Sequence, residues 1–207
     1  PSVVTLLAAD PAAGALLLEN VEPGVPVRQL AWNLPEVAAL LRDLRVSPPA
    51  PGEDSVLGPL AQRIDFLFDL TDRRLASARA NGVVAPTLLV RPEQRHWNLQ
   101  PVGLWDSCMV ISTGEVLSGP GARMVAIDPR PTWGDPDFDA VDWVLEGVAD
   151  PALLEQRVEE LAALVPGLSP CRVVGWCRAL AALIAVPRMC AGRDDAETRF
   201  LMALVDG

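Results

Sequence analysis

Residues 124–143, MVAIDPRPTWGDPDFDAVDW, constrain this chain more than any other stretch. A short apolar run, Val125 to Ile127, ends at Asp128, and a turn broken by proline and glycine follows. Asp135, Asp137, Asp139 and Asp142 then crowd together ahead of an apolar helical pattern. Carboxylates this close repel one another, so the fold must supply cations, hydrogen-bond donors or raised pKa values. A strand that ends in an acidic turn is also a common way to present carboxylates at a pocket mouth.

The rest of the chain reads as a few short strands on a helical body. Val3 to Ala8 and Ala15 to Glu19 read as the two strands of a hairpin turned at Asp10 to Gly14, and Asn20 to Pro26 is a linker of turn-formers. Leu34 to Arg45 has helical spacing with Pro35 in its first turn, and Ser47 to Gly52 is an exposed loop. Leu57 to Ala80 predicts a long amphipathic helix. Leu60, Ile64, Leu67, Phe68 and Leu75 share its apolar face, Arg63, Asp72, Arg73 and Arg79 lie on the others, and Asn81-Gly82 stops it. Val83 to Arg91 is a shorter apolar segment compatible with a helix. Met109 to Ile111 and Glu115 to Leu117 read as strands around a Ser112 to Gly114 turn, and Met124 to Ile127 as the strand that pairs back. Phe138 to Glu146, Pro151 to Leu164, Arg172 to Val186 and Ala196 to Val205 are helical by period. The third of these is apolar on nearly all sides and therefore buried. The predicted class is α+β, mostly α.

Composition narrows the chemistry. The chain has 207 residues, half of them apolar, enough for one core. With 27 acids against 17 bases its net charge is -10, which argues against nucleic acid and suits a cationic or neutral small molecule. Every basic residue is arginine, so no lysine can serve as Schiff base, general base or phosphate clamp. Four cysteines without C-x-x-C spacing and a single histidine argue against zinc, and no metal or cofactor is expected. No N-terminal signal precedes the first strand, and no apolar stretch reaches the ~20 residues of a membrane span. The expectation is a cytoplasmic protein with reduced thiols and no membrane partner.

The order of elements, together with VAIDPRPTWGDPDFDAVDW, resembles the aminoglycoside and hydroxyurea phosphotransferases, which have a protein-kinase-like fold. The resemblance implies a helical substrate lobe over residues 25–207, with residues 1–24 as a residual nucleotide-lobe hairpin and hinge. By the same comparison the chain starts at the last two strands of the nucleotide lobe, so the phosphate-covering loop and the lobe's lysine are expected to be absent. The family's catalytic loop, H-G-D-L-H-P-G-N-V-L, matches Cys108 to Leu117, CMVISTGEVL, with Gly114, Val116 and Leu117 in register. Val110 then stands at the catalytic aspartate's position, Glu115 at the metal-binding asparagine's, and Cys108 and Ser112 at the two histidines'. The metal-ligand aspartate is kept as Asp128, and G-D-P-x-F-D as Gly134, Asp135, Pro136, Phe138 and Asp139.

A phosphotransfer site without its base and lysine has little left to act with. The expectation is therefore a kinase-fold protein that has lost phosphotransfer. Its predicted work is cofactor-independent proton transfer, cyclisation or isomerisation on a small organic, natural-product-like molecule of secondary metabolism. The alternative is a non-catalytic small-molecule-binding or scaffold pseudokinase. Candidate catalytic residues are Asp128, Glu115, His96 and Asp106. Candidate substrate contacts are Trp97, Trp105, Ser112, Arg130 and Trp133. Asp135 and Asp139 are expected to cap backbone amides of the following helix. Removing most of a lobe uncovers strand edges, so a homodimer through the Val3 to Glu19 hairpin is expected.

Overall fold

The computed structural model describes residues 2–45, 57–80, 107–110 and 113–206. The hairpin comes first: β1 (Leu6–Asp10) pairs antiparallel with β2 (Ala15–Leu18). Asp10 closes its turn by accepting from the amides of Ala12 and Ala13 at 3.0 and 3.1 Å. The chain then runs back along the body. Gly24 takes a positive φ of 67°, and a Cβ there would run into the Val21 carbonyl, so the bend needs glycine.

This return path completes a small sheet. Strand β4 (Val116–Ser118) pairs antiparallel with β5 (Met124–Ala126). The chain's first residues lie parallel along β5, where Val4 N donates to Ala126 O and Ala126 N to Ser2 O. On the other side, Gly24 N donates to Ser118 O and Ser118 N to Val25 O. The loop of residues 2–26 therefore grips the β4–β5 hairpin from both edges.

Helix starts follow their caps. Helix α1 (Leu34–Leu44) opens on an Asn33–Glu36 capping box with Pro35 in the first turn, and buries Val37, Ala38, Leu40, Leu41 and Leu44. Helix α2 (Leu60–Ala80) buries Leu60, Phe68 and Leu75, from the face its spacing marks out. After α3 (Val141–Leu145), α4 (Pro151–Leu164) is capped by Asp150, which accepts from Leu153 N at 2.9 Å. Helix α5 (Pro170–Cys190) runs through the body and packs on α2, α4 and α6 (Ala196–Asp206). The result is mostly helical, as the pattern predicts.

Three expectations are corrected. Met109 and Val110, of the stretch expected as a strand from Met109 to Ile111, do not pair with Glu115 to Leu117 across a turn. Strand β3 (Ser107–Val110) pairs instead with β6 (Arg130–Trp133), a stretch read from sequence as turn. A 3-10 turn, Thr113–Glu115, leads the chain from the first pair of strands into β4. The predicted helix from Phe138 is split into a 3-10 turn, Pro136–Ala140, and α3. Finally, α5 is long and apolar enough to cross a bilayer, with mean hydropathy 1.5 over its best window, yet half of that window is buried inside the protein. It is a core helix. The predicted Ser47 to Gly52 loop and the Val83 to Arg91 segment lie outside the described residues.

The core is one cluster joining α1, α3, α4, α5 and α6. At its centre is Trp143, 1% exposed, which meets Trp32 edge-on at 5.5 Å and 87°. Arg157 lies over the Trp32 ring at 5.7 Å. Such a pair adds about 0.5–1.5 kcal/mol to the burial of the rings. Trp143→Ala is expected to lower stability by about 3–5 kcal/mol in urea unfolding. A loss under about 1 kcal/mol would show that the neighbours collapse into the space.

Candidate functional site

Two strand pairs bring the candidate residues together. Ile127 N donates to Glu115 O at 2.9 Å, which sets Glu115 beside the residue that precedes Asp128. In the other pair, Val110 stands in register with Arg130, two residues past Asp128. The stretch matched to a catalytic loop and the acidic strand end thus lie side by side.

A fourth segment joins them. Trp133 N donates to Gly58 O at 2.9 Å, and Pro59 bridges Trp133, so the start of α2 is tied to β6. Gly134 permits this approach, because a Cβ there would collide with the Leu60 side chain. One turn on, Arg63 feels both the Glu115 and Asp128 carboxylates. Burial lowers its pKa, the Arg130 charge lowers it further, and the two carboxylates oppose both effects. Its Nε is buried without a hydrogen-bond partner among the described residues, and its guanidinium lies over Phe66 at 5.2 Å. Sequence reading placed Arg63 on a face away from the apolar one, with no local signal that β6 would meet it.

The cluster is therefore Glu115 and Asp128 against Arg63 and Arg130. Arg130 Nη2 meets Asp128 Oδ2 at 3.2 Å, and the side chains are 52% and 60% exposed. A pair this open contributes about 1 kcal/mol or less. Trp133, a candidate substrate contact, is buried at the β6–α2 junction. Among the described residues, no group of three or more His, Cys, Asp or Glu side chains is placed to hold a metal ion. The candidates His96, Trp97, Trp105, Asp106 and Ser112 lie outside the described residues.

Deeper in, Asp142 on α3 is the carboxyl that sequence reading left in the acidic run without a role. Burial raises its pKa to about 6, helped by the charges of Glu146 and Glu115. Cys177 on α5 is pushed up as well, first by burial and then by Asp142. A carboxyl that titrates near neutrality beside a second carboxylate is suited to moving protons.

The remaining aspartates hold the turn together. Asp135 caps it by accepting from Asp137 N at 3.0 Å, as expected, and also takes hydrogen bonds from Arg172 Nε at 2.9 Å and Trp176 Nε1 at 2.8 Å. Asp137, only 1% exposed, accepts from Arg45 Nη2 at 2.7 Å and from Ser169 N at 3.1 Å. Burial raises its pKa and Asp135 adds to the rise, while Arg45 and Ser169 pull it down. Asp139, expected to cap alongside Asp135, is buried in the same 3-10 turn.

The comparisons with known proteins agree with this arrangement. No family model matches the chain. It is 31% identical over 193 residues to streptomycin 6-kinase of Streptomyces glaucescens, a match that covers 84% of this chain and 58% of that protein. The chain thus spans less than two thirds of the length of this curated relative. Among solved structures, choline kinase LicA from Streptococcus pneumoniae matches with TM-score 0.57 and 15% identity, covering 99% of this chain and 74% of its own. A choline/ethanolamine kinase family protein from Mesorhizobium loti gives 0.57 and 15%, covering 100% and 75%. At such identities the structural likeness shows the fold alone, and that fold is kinase-like.

Asp142 yields a prediction with a definite sign. Its carboxyl keeps a proton up to about pH 6 when folded, against an ordinary value of 3.8. Between those values the folded chain binds more protons than the unfolded one. This contribution to stability is present below about pH 4 and lost as pH rises through 6. Asp142→Asn is expected to stabilise the chain at neutral pH by on the order of 1–3 kcal/mol and to flatten the pH dependence of urea unfolding. A variant no more stable than the parent at neutral pH would show that the carboxyl is well solvated.

Proposed function

Starting from the kinase-like phosphotransferase family to which this chain belongs, we propose that it does not transfer phosphate. Its work in this reading is cofactor-independent proton transfer, leading to isomerisation or cyclisation of a small natural-product-like molecule in the cytoplasm. One observation carries the reading: Val110, at the position that matches the family's catalytic aspartate, is paired with Arg130 beside Asp128. Valine can neither orient a hydroxyl nor accept its proton, a contribution typically worth about 10²–10⁴ in rate.

The charge balance points the same way. A divalent ion shared with nucleotide phosphates needs a surplus of carboxylate at its ligand positions. Here Glu115 and Asp128 occupy those positions, and Arg63 and Arg130 already offset both charges. The residues do not fit such an ion. Glu115 instead stands near Asp142, whose pKa burial raises to about 6. In this reading Glu115 removes a proton from the substrate and returns it at a second atom, which conserves atoms and charge. The net charge of -10 favours a cationic ligand, and an aminoglycoside such as streptomycin is the natural first probe.

A second reading, a non-catalytic small-molecule-binding pseudokinase, is favoured by the exposure of Asp128 and Arg130. Catalytic carboxylates gain most where water is excluded. Two measurements separate these readings. Incubation of the full chain with ATP, magnesium and streptomycin, read by mass spectrometry, is expected to give no phosphorylated product; its appearance would overturn the proposal. A bound ligand that takes up deuterium at carbon from heavy water, and fails to do so with Glu115→Gln, supports proton transfer. Binding without exchange supports the second reading.

We also propose a homodimer through the hairpin. Every residue of β1 and β2 is exposed, including Leu6, Leu7, Leu16 and Leu17 at 55–68%. An isolated two-stranded hairpin is marginal in water, and a second copy brings the same leucines as a self-complementary cover. Light scattering is expected to give twice 22.1 kDa, with Leu16→Glu/Leu17→Glu reverting to that value. A parent chain that already scatters as 22.1 kDa would rule the dimer out, leaving another segment or partner as the cover.

A further inference from the structure

A cavity lies among the last three helices, lined by none of the residues of the candidate site. Its volume is about 560 Å³, and it is walled by Ala149 ahead of α4, Arg178 on α5, and Arg199, Phe200, Ala203 and Leu204 on α6. That volume is within the range of about 300–1,000 Å³ typical of small-ligand pockets. The chain as a whole carries -10, yet the charged residues lining this cavity are two arginines and no acid. Both charged side chains in the lining are basic, and the other lining residues are apolar.

The two guanidiniums have capacity to spare. Arg199 Nη1 donates to Asp194 O and Oδ1 at 2.8 and 3.0 Å, but both side chains stand mostly in water, so that pair is weak and exchangeable. Arg178 projects from the exposed side of α5, and among the described residues no ion pair engages it. An arginine fork matches a carboxylate with two parallel hydrogen bonds. The neighbouring wall of Phe200, Ala203 and Leu204 offers nothing to a hydrated anion and much to an alkyl chain.

We propose that this cavity binds an amphiphilic monocarboxylate. The carboxylate lies between Arg178 and Arg199, and the chain runs along Phe200 and Leu204. Such a site is independent of the proton-transfer reading and would stand if that reading failed.

Decanoate, titrated into the full chain below its micellar concentration by calorimetry, is the probe. Saturable one-to-one binding is expected, weakened about tenfold by Arg178→Ala and by Arg199→Ala, as loss of a charge-assisted hydrogen bond implies. Decanol and inorganic phosphate, each carrying half of the recognised chemistry, are expected to bind at least about tenfold more weakly. Ala203→Trp, which fills the cavity, is expected to abolish binding, with thermal unfolding confirming that each variant is folded. No saturable binding, decanol binding as tightly as decanoate, or binding unchanged in both arginine variants would overturn the assignment.

Discussion

The structure depends on how it neutralises one acidic turn. Asp135 and Asp137 sit a residue apart, and Asp137 is almost wholly out of water. Two such carboxylates without partners would repel each other and pay for lost hydration. The fold brings Arg45 from the end of α1, Arg172 and Trp176 from α5, and the Ser169 amide at the start of that helix. Two distant parts of the chain thus converge on one turn. Because a buried pair is costly to break from either side, the turn fixes where α1 and α5 lie relative to β6.

That anchoring reaches the candidate site through short covalent steps. Pro136–Ala140 is held by these bonds, Gly134 lies two residues upstream, and α2 can approach only because Gly134 has no side chain. Arg63 enters the cluster as a consequence. The acidic run divides into two jobs at this point. Asp135 and Asp137 are satisfied by guanidinium, indole and amide donors, whereas Asp128 keeps an exposed partner and Asp142 has its pKa raised by burial. Cation, donor and raised pKa are the three remedies for crowded carboxylates, and each appears within a few residues of the others.

This division explains which features could be read from sequence. The starts of α1 and α4 were legible because Asn33-x-Pro35 and Asp150-Pro151 are local signals, decided by the backbone amides of one turn. The kinase-like fold was legible because the stretch from Asp128 to Asp139 carries most of its turn in its own residues. Strand β6 was not, since Pro131 lacks an amide to donate and its partners in β3 are twenty or more residues away. Arg63 and Asp142 were missed for a related reason. Their electrostatic surroundings come from segments that only tertiary structure brings near, and no periodicity records them.

The same physics bears on how such a site changes function. In a metal-dependent phosphotransferase the carboxylates at the strand end must stay free of protein cations, because the divalent ion has to be their strongest partner. Once a guanidinium stands among them the ion meets a positive charge that never loses its proton. The turn-holding network does not depend on that ion, since Arg45, Arg172 and the Ser169 amide satisfy Asp135 and Asp137 by themselves. The scaffold therefore tolerates charge exchange at Glu115, Asp128 and Arg130 without loss of its own support. A fold whose stability draws on Asp135 and Asp137 is free to alter the other carboxylates of the run while keeping that support.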